Sequence, residues 1–288
     1  MLELRNLGHD CFGAYNANSS GNRQGTLLRF QQHQFLLIGY THISALNTIL
    51  ANNHADTCYV LKSGEPDAVT DNITVCPALV HAVFSGTPHG YRFAWVSEWL
   101  AKLNNGVCVP PIVRKPVPSQ HLRKELNIPD EAYVYGCHGG ADSFDIPFVH
   151  HAVQMAANEG CHFVFLSIQP FCAHPRIKFI PTTDDLNYVH RFLATCNAMI
   201  HARARGETFG MSCAEFNILQ KPVLTYGLSV ENAHLGMLKN NAFVYTDTAS
   251  CLSAMRSVCS NPPEIKDVFT DLFSPSIVMQ RFKDVFLT

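Results

Sequence analysis

Short runs of β-branched and aromatic residues alternate with segments of helical periodicity from Phe35 onward. This alternation is typical of βα units, in which helices connect the strands of a largely parallel sheet. We predict strands in the first part of the chain at 35–38, 57–61, 73–75, 79–84, 93–96 and 107–109, and a helix at 97–103 that Ser97 caps. Residues 1–34 contain several glycines and a polar run, so a loop or an irregular hairpin fits them as well as a first strand does.

A proline-rich stretch then interrupts the pattern. Prolines at 110, 111, 116 and 118 exclude regular helix or sheet, so we place a linker at 110–119. A second alternating series follows, with predicted strands at 133–137, 162–167, 177–180, 198–201, 222–226 and 242–245 and helices at 146–158, 184–195, 209–219 and 250–257. The interpretation is an α/β chain with two Rossmann-like domains facing a cleft, the first of them short and atypical.

The expected domain limits are 1–112 for the first domain and 113–274 for the second. A length of 288 residues agrees with about two domains. Residues 275–288 are expected to form a helix that packs back across the interdomain region. The spacing of its apolar residues predicts one buried stripe, formed by Ile277, Val278, Phe282, Val285 and Phe286.

Composition excludes several classes of protein. The chain has 21 Lys and Arg against 23 Asp and Glu, and no stretch is dominated by one sign, so a groove that follows nucleic-acid phosphates is not expected. No apolar run approaches the roughly 20 residues that span a membrane, and the opening residues lack a signal-peptide pattern. Eleven scattered cysteines without a Cys-x-x-Cys pair indicate reduced thiols in a cytoplasmic protein.

The histidines and cysteines do not predict a metal centre. The available clusters, His150-His151, Cys161-His162 and Cys172-x-His174, lack the paired spacing of zinc ligands. An Asp-x-Asp motif is also missing from the sequence. We therefore predict neither a metal nor a cofactor.

The most informative stretch runs from Cys196 to Tyr226. A buried strand ends at His201, a loop carries two arginines, and a helix begins near Phe209 with Glu207 before it and Glu215 inside it. The free N–H groups at the start of that helix form an anion site at 209–212, and the carboxylates can accept hydrogen bonds from sugar and ribose hydroxyls. A nucleotide diphosphate sugar offers a partner for each of these groups: a diphosphate for the anion site, and sugar and ribose hydroxyls for the two carboxylates.

The segment GETFGMSCAEF, followed by KPVLTYG, resembles the Glu-x7-Glu motif of retaining glycosyltransferases with the GT-B fold. The resemblance implies that Glu207 contacts the transferred sugar and Glu215 the nucleotide ribose, and that the anomeric configuration is retained. Further similar segments lie between about 75 and 245. They are LVHAVF at 79–84, VSEWL at 96–100, VPPIV at 109–113 and HGGADSFDIPF at 138–148.

His81 has two interpretations. Inside an apolar strand, a lone histidine is often a core residue whose ring nitrogens are both hydrogen-bonded. In the family that the chain resembles, a histidine at the end of this strand faces the donor sugar, which makes His81 a candidate catalytic residue beside Glu207.

The sequence departs from the family in the loop at 138–145. Many members have an arginine and a lysine there to neutralise the donor diphosphate, whereas here His138 is the one side chain able to carry positive charge. Backbone N–H groups of a Gly-Gly pair and two loop arginines are expected to replace them, while Asp145 is expected to cap the next helix. The expected donor-binding residues are Gly139, Gly140, Arg203, Arg205, Thr208, Phe209, Gly210 and Glu215.

The function predicted from these features is transfer of a sugar from a nucleotide diphosphate sugar to a hydroxyl of a glycan or a small acceptor, without metal. Two alternatives remain open. One is an epimerase or phosphorylase acting on the same architecture, and the other is a catalytically silent protein that binds nucleotide sugars or glycans.

Overall fold

The computed structural model describes residues 1–117 and 119–288, and it divides into two compact units. The N-terminal unit comprises Met1–Ile112 together with Pro275–Thr288, and the C-terminal unit comprises Val113–Ser274. Residues 110–117 of the predicted linker form neither helix nor strand, and Pro118 lies outside the described residues. Among the described residues, no helix is long and apolar enough to cross a membrane.

The N-terminal unit contains two separate parallel sheets. Its strands are β1 Phe12–Asn16, β2 Leu36–Tyr40, β3 Cys58–Lys62, β4 Ala78–Ala82 and β5 Arg92–Trp95; its helices include α1 Leu2–Asn6, α2 Gln24–Gln32, α3 Ala45–Asn52, α4 Ala68–Asn72 and α5 Glu98–Leu103. Strands β1 and β2 form one sheet, and β3, β4 and β5 form the other. The Ser97 cap is confirmed, since its Oγ accepts the Leu100 N–H.

The structure decides between the alternatives left open for residues 1–34 and corrects two predicted strands of this unit. Residues 1–34 contain a strand, because β1 pairs in parallel with β2 across the crossover helix α2. The strand predicted at 73–75 is wrong: Ile73 follows α4 and fills the core beside Leu46 and Leu50, so its burial needs no sheet. The strand predicted at 107–109 is reduced to a single bridge between Trp95 and Cys108.

The C-terminal unit is a doubly wound α/β domain. Its strands are β6 Val134–His138, β7 His162–Leu166, β8 Ile177–Ile180, β9 Ala198–His201, β10 Gly206–Glu207, β11 Val223–Tyr226, β12 Glu231–Asn232 and β13 Ala242–Tyr245. Its helices are α6 Pro147–Asn158, α7 Leu186–Thr195, α8 Met211–Ile218, α9 Ala233–Leu238, α10 Thr248–Ser260 and α11 Thr270–Phe273, with a 3₁₀ turn at Lys239–Asn241.

Six of these strands form one parallel sheet in the order β13-β11-β9-β6-β7-β8, and β10 pairs with β12. Every strand pair among the described strands is parallel, which confirms the α/β prediction. The chain winds from β6 toward β8 and then returns to β9 on the other side. The loops after β6 and β9 therefore diverge at the switch point, where open parallel sheets bind ligands.

Helix α12, Pro275–Phe282, and the π-helical turn Lys283–Leu287 complete the core of the N-terminal unit. Val278, Phe282 and Phe286 are buried at intervals of four residues, as the predicted stripe requires. The prediction that Ile277 belongs to the buried stripe is wrong: its side chain is 46% exposed, because it lies beside that line and not on it. Phe282 and Phe286 share one cluster with Leu79 of β4, Ala94 of β5 and other apolar residues.

This packing leads to a prediction for stability. Phe282→Ala removes an aromatic ring that is 8% exposed, so the free energy of unfolding is expected to fall by about 3–5 kcal/mol. Ile277→Ala is the matched control and is expected to stay within about 0.5 kcal/mol of the wild type. Urea unfolding followed by tryptophan fluorescence measures both, since Trp95 and Trp99 lie in this unit. Equal losses in the two variants would contradict the assignment.

Candidate functional site

A cavity of about 250 Å³ lies at the carboxyl ends of β6 and β9, at the switch point of the C-terminal sheet. Its wall combines the loop after β6, the loop after β9 and the first turn of α8. The lining residues are Cys137, His138, Gly139, Gly140, Asp142, Ser143, His201, Arg203, Glu207, Met211 and Ser212.

Glu207 is the acidic centre of this cavity. Its Oε1 lies 3.2 Å from His201 Nε2 and 3.2 Å from an Arg203 guanidinium nitrogen, which also lies 3.3 Å from Oε2. Burial by itself raises the pKa of Glu207, but the hydrogen bonds from His201 and Arg203 and the charge of Arg203 outweigh it. The pKa therefore lies below the ordinary value of 4.5, and the side chain is a carboxylate at neutral pH.

The two loops that flank the cavity are joined by backbone contacts. The Asp145 carboxylate accepts the Ala204 N–H at 2.7 Å, and the Asp145 N–H donates to Ala202 O at 3.0 Å. The prediction that Asp145 caps α6 is wrong, because that helix begins after Ile146 without a side-chain cap. Asp145 instead holds the arginine-bearing loop against the loop after β6.

Gly139 and Gly140 lie in the cavity wall. A Cβ on Gly139 would lie 2.4 Å from Ser143 Oγ, and that hydroxyl donates to Gly140 O at 2.7 Å. A side chain at 139 would therefore displace the Ser143 hydroxyl, and glycine there leaves backbone close to the cavity.

Arg205 is engaged outside the lining set. Its guanidinium lies 2.7 Å from Glu231 Oε1, and Glu231 is nearly buried beside the short β10–β12 pair. Both loop arginines predicted to bind phosphate thus form ion pairs with carboxylates in this structure, Arg203 with Glu207 and Arg205 with Glu231.

Thr208, Phe209 and Gly210 build the entry to α8. Phe209 is buried and its ring packs 5.3 Å from that of Phe273, so its side chain belongs to the core. Thr208 is also buried. Gly210 precedes α8 with φ of 91°, and a Cβ there would lie 3.0 Å from His234 Cβ. These three residues direct the helix start, while Met211 and Ser212 reach the cavity wall.

Glu215 reaches the cavity through His138. Its Oε2 lies 2.8 Å from His138 Nε2, an ion-pair distance without hydrogen-bond alignment. The His138 ring packs against Phe192 and Phe216. The structure thus brings the two predicted glutamates to one cavity, Glu207 directly and Glu215 one side chain away.

His81 lies in the N-terminal unit and is buried there. Its Nε2–H donates to Val109 O, so its Nδ1 accepts the Tyr59 hydroxyl proton; both distances are 2.6 Å. Burial lowers the pKa of His81 to about 4. These contacts support the core interpretation, and the catalytic role of His81 stays a prediction.

Several lining residues were not assigned a role from the sequence. Asp142, Ser143, His201 and Ser212 are the polar ones among them. His201 is the last residue of a predicted strand, and ligands bind at the carboxyl ends of parallel strands, so that position was the available signal. Among residues 1–117 and 119–288, no group of three or more His, Cys, Asp or Glu side chains could hold a metal ion.

No protein-family model matches the chain, and no curated protein matches its sequence. Solved structures do match its fold. A glycosyltransferase from Rickettsia africae ESF-5 aligns with a TM-score of 0.69 and 12% identity over 98% of this chain and 92% of that chain. HepE from Anabaena, in complex with UDP and glucose, aligns with a TM-score of 0.67 and 11% identity over 97% of this chain and 99% of its own.

An enzyme of another class has a similar fold. A putative UDP-N-acetylglucosamine 2-epimerase from Listeria monocytogenes aligns with a TM-score of 0.58 and 12% identity over 92% of this chain and 86% of that chain. At such identities the shared property is the fold. The chain therefore has the mixed α/β fold with parallel sheets of GT-B glycosyltransferases, which confirms the predicted fold class.

The close approach at Gly206 gives a second prediction. Gly206 and Gly160 both have positive φ, 85° and 113°, so alanine strains the backbone at either position. A Cβ on Gly206 would also lie 1.8 Å from Glu231 O, whereas Gly160 has no atom within 4 Å. Gly206→Ala is therefore expected to lower the thermal unfolding midpoint much more than Gly160→Ala, as measured by circular dichroism. Equal shifts would show that the contact with β12 is unimportant.

The lowered pKa of Glu207 gives a third prediction. A carboxyl group whose pKa is lower in the folded state stabilises the protein above its unfolded pKa and loses that contribution as pH falls through the folded pKa. The stability difference between wild type and Glu207→Gln is thus expected to be largest above pH 4.5 and to shrink in more acidic solution. Urea unfolding at a series of pH values measures it, and a difference that grows on acidification would contradict the assignment.

Proposed function

We propose that this protein is a glycosyltransferase that moves a sugar from a nucleotide diphosphate sugar to a hydroxyl of a glycan or a small acceptor. The observation that carries the proposal is the cavity at the ends of β6 and β9, where a desolvated, ionised Glu207 sits beside a glycine turn and the first turn of a helix. Glu207 is suited to accept hydrogen bonds from a sugar, and the turn and the helix start are suited to bind phosphate.

Each part of the donor then has a proposed partner. Glu207 accepts from a hydroxyl of the transferred sugar. Glu215 accepts from the ribose and keeps one carboxylate oxygen beyond the His138 contact. Backbone N–H groups at Gly139, Gly140 and the first turn of α8 bind the diphosphate, with Arg203 adding charge when it moves from Glu207.

The reaction follows from these positions. The bond from the anomeric carbon to the diphosphate breaks, a bond from the acceptor hydroxyl oxygen to that carbon forms, and the hydroxyl proton passes to the leaving diphosphate. During this exchange positive charge develops on the anomeric carbon and negative charge on the leaving phosphate. Preformed amides and an arginine stabilise that phosphate charge, and Glu207 holds the sugar in line with it. Retention of configuration and independence from metal are part of the proposal, supported by the Glu-x7-Glu resemblance and by a phosphate site built from protein groups.

All eleven cysteines are free, which supports a cytoplasmic location.

The nucleotide is proposed to be uridine diphosphate. HepE from Anabaena binds UDP and UDP-glucose on the same fold, and that similarity supports the choice. An epimerase is the second candidate, favoured by the fold shared with the putative Listeria enzyme. The two differ in chemistry, because a transferase releases UDP to solution whereas an epimerase returns a UDP-sugar.

The test combines binding and turnover. UDP is expected to bind the protein more tightly than GDP or ADP in calorimetric titrations, and UDP release from UDP-glucose is expected to depend on an acceptor from a hydroxyl panel. Glu207→Gln is expected to bind UDP normally and to slow that release by about 100-fold or more, because it loses a charge aimed at the reacting sugar. Glu159→Gln, which breaks a surface ion pair with Arg256, is the matched control.

Three results would decide against this function. Normal turnover by Glu207→Gln would remove that residue from the mechanism. Conversion of UDP-N-acetylglucosamine to its 2-epimer without UDP release would identify an epimerase. Binding of UDP-glucose without consumption across the acceptor panel would identify a silent binding protein.

A further inference from the structure

Three buried side chains continue the hydrogen bonding of Glu207 into the interior of the C-terminal unit. His201 Nε2 lies 3.2 Å from Glu207 Oε1, and His201 Nδ1 lies 2.9 Å from Thr225 Oγ1. That hydroxyl also lies 3.0 Å from His234 Nε2. His201, Thr225 and His234 are all buried, and we refer to them as the His201–Thr225–His234 row.

The inner end of the row determines where its protons lie. Burial lowers the pKa of His234 to about 3, so its ring is neutral and carries one proton. Its Nδ1 is buried and has no hydrogen-bond partner among the described residues. A buried N–H without an acceptor is costly. The proton of His234 therefore belongs on Nε2, where the Thr225 oxygen accepts it.

The hydroxyl of Thr225 transmits this choice to His201. A threonine hydroxyl has one proton to donate. Its oxygen accepts from His234 Nε2–H, so the ring nitrogen within reach of that proton is Nδ1 of His201, at 2.9 Å. Donation there requires Nδ1 to be unprotonated and gives the buried hydroxyl proton an acceptor. In the neutral form of His201 the proton consequently lies on Nε2 and points at Glu207, whose carboxylate only accepts.

We propose that Thr225 and His234 set the tautomer of His201 so that its Nε2–H donates to Glu207 and holds that carboxylate in place for the donor sugar. All three are positioning residues, since none is argued to touch the reacting atoms. This inference rests on the proposed function, in which Glu207 binds the transferred sugar.

Glu207 has one donor that can move and one that cannot, and the fixed donor is the one that keeps the carboxylate in place. The Arg203 side chain is 29% exposed and is the group proposed to move toward the diphosphate, whereas the His201 side chain is 3% exposed. When Arg203 leaves, the hydrogen bond from His201 to Oε1 remains. Oε2 is then available to a sugar hydroxyl in a fixed position.

The first test reports on the tautomers without any substrate. Protein labelled with ¹⁵N-histidine is examined by long-range ¹H–¹⁵N correlation, and spectra of His201→Asn and His234→Asn assign the signals. In the wild type both rings are expected to carry their proton on Nε2. In Thr225→Val, a change of similar shape without the hydroxyl, His234 is expected to populate both tautomers, and Thr225→Ser is expected to restore the wild-type pattern.

The second test measures turnover as UDP release from UDP-glucose. Thr225→Val is expected to lower kcat by about 10–100-fold, the size of the effect seen when a hydrogen-bond partner that orients a metal-ligating histidine is removed. KM for UDP-glucose is expected to change by about twofold or less. Thr225→Ser is expected to recover most of the loss. Thr195→Val is the control, because Thr195 is an equally buried hydroxyl that bonds Leu122 N–H and Arg191 O away from the cavity.

Distinct results would overturn the proposal. A proton on Nδ1 of His201 in the wild type would refute the assigned tautomer, as would an unchanged His234 signal in Thr225→Val. A kcat loss no greater than that of Thr195→Val would make Thr225 merely structural. If the wild type does not consume UDP-sugars at all, the proposed function fails, while the spectra still decide whether the row orders the ring protons.

Discussion

An ionised carboxylate below the protein surface must be matched by donors, and the architecture around Glu207 follows from that requirement. Desolvation alone would favour the neutral acid, and the shift to a lower pKa shows that His201 and Arg203 more than compensate. The strand end supplies His201 and the loop after it supplies Arg203. The buried carboxyl end of an inner strand and a partly exposed loop thus contribute one donor each. One contact is therefore rigid, and the other is able to move.

The loop after β9 that carries Arg203 is fixed by three specific contacts. Asp145 ties it to the neighbouring loop through Ala204, and Gly206 brings its backbone against β12. Arg205 then pairs with the nearly buried Glu231. An anion that drew Arg205 away would leave a buried carboxylate unpaired, at a cost of several kcal/mol by typical values. Arg203, whose partner Glu207 keeps a second donor in His201, is the arginine that an anion can recruit at lower cost.

Much of the cavity wall could be predicted from the sequence because each part of it is a short continuous stretch of the chain. The strand to His201, the glycine turn and the two glutamates belong to local patterns whose period and spacing indicate their structure. The burial of Phe209 against Phe273 and the Arg205–Glu231 pair could not be predicted, since each depends on a residue distant in sequence.

The N-terminal unit resisted prediction for a related reason. Strand β1 lies among polar residues and glycines, and its parallel partner β2 is reached only across a helix. At 73–75, a short apolar run is buried by Leu46 and Leu50 of α3 and needs no ladder of hydrogen bonds. Periodicity reports that a side chain is buried, and it does not report what covers it.

The return of residues 275–288 to the N-terminal unit has a consequence for biosynthesis. The C-terminal unit is a continuous segment, whereas the core of the N-terminal unit is filled by Met279, Phe282 and Phe286. During translation, Leu79 and Ala94 are synthesised before the C-terminal unit, and α12, which packs in their cluster, is synthesised after it. The core of the N-terminal unit is therefore completed last, and the nascent chain carries an open apolar surface while the C-terminal unit is synthesised.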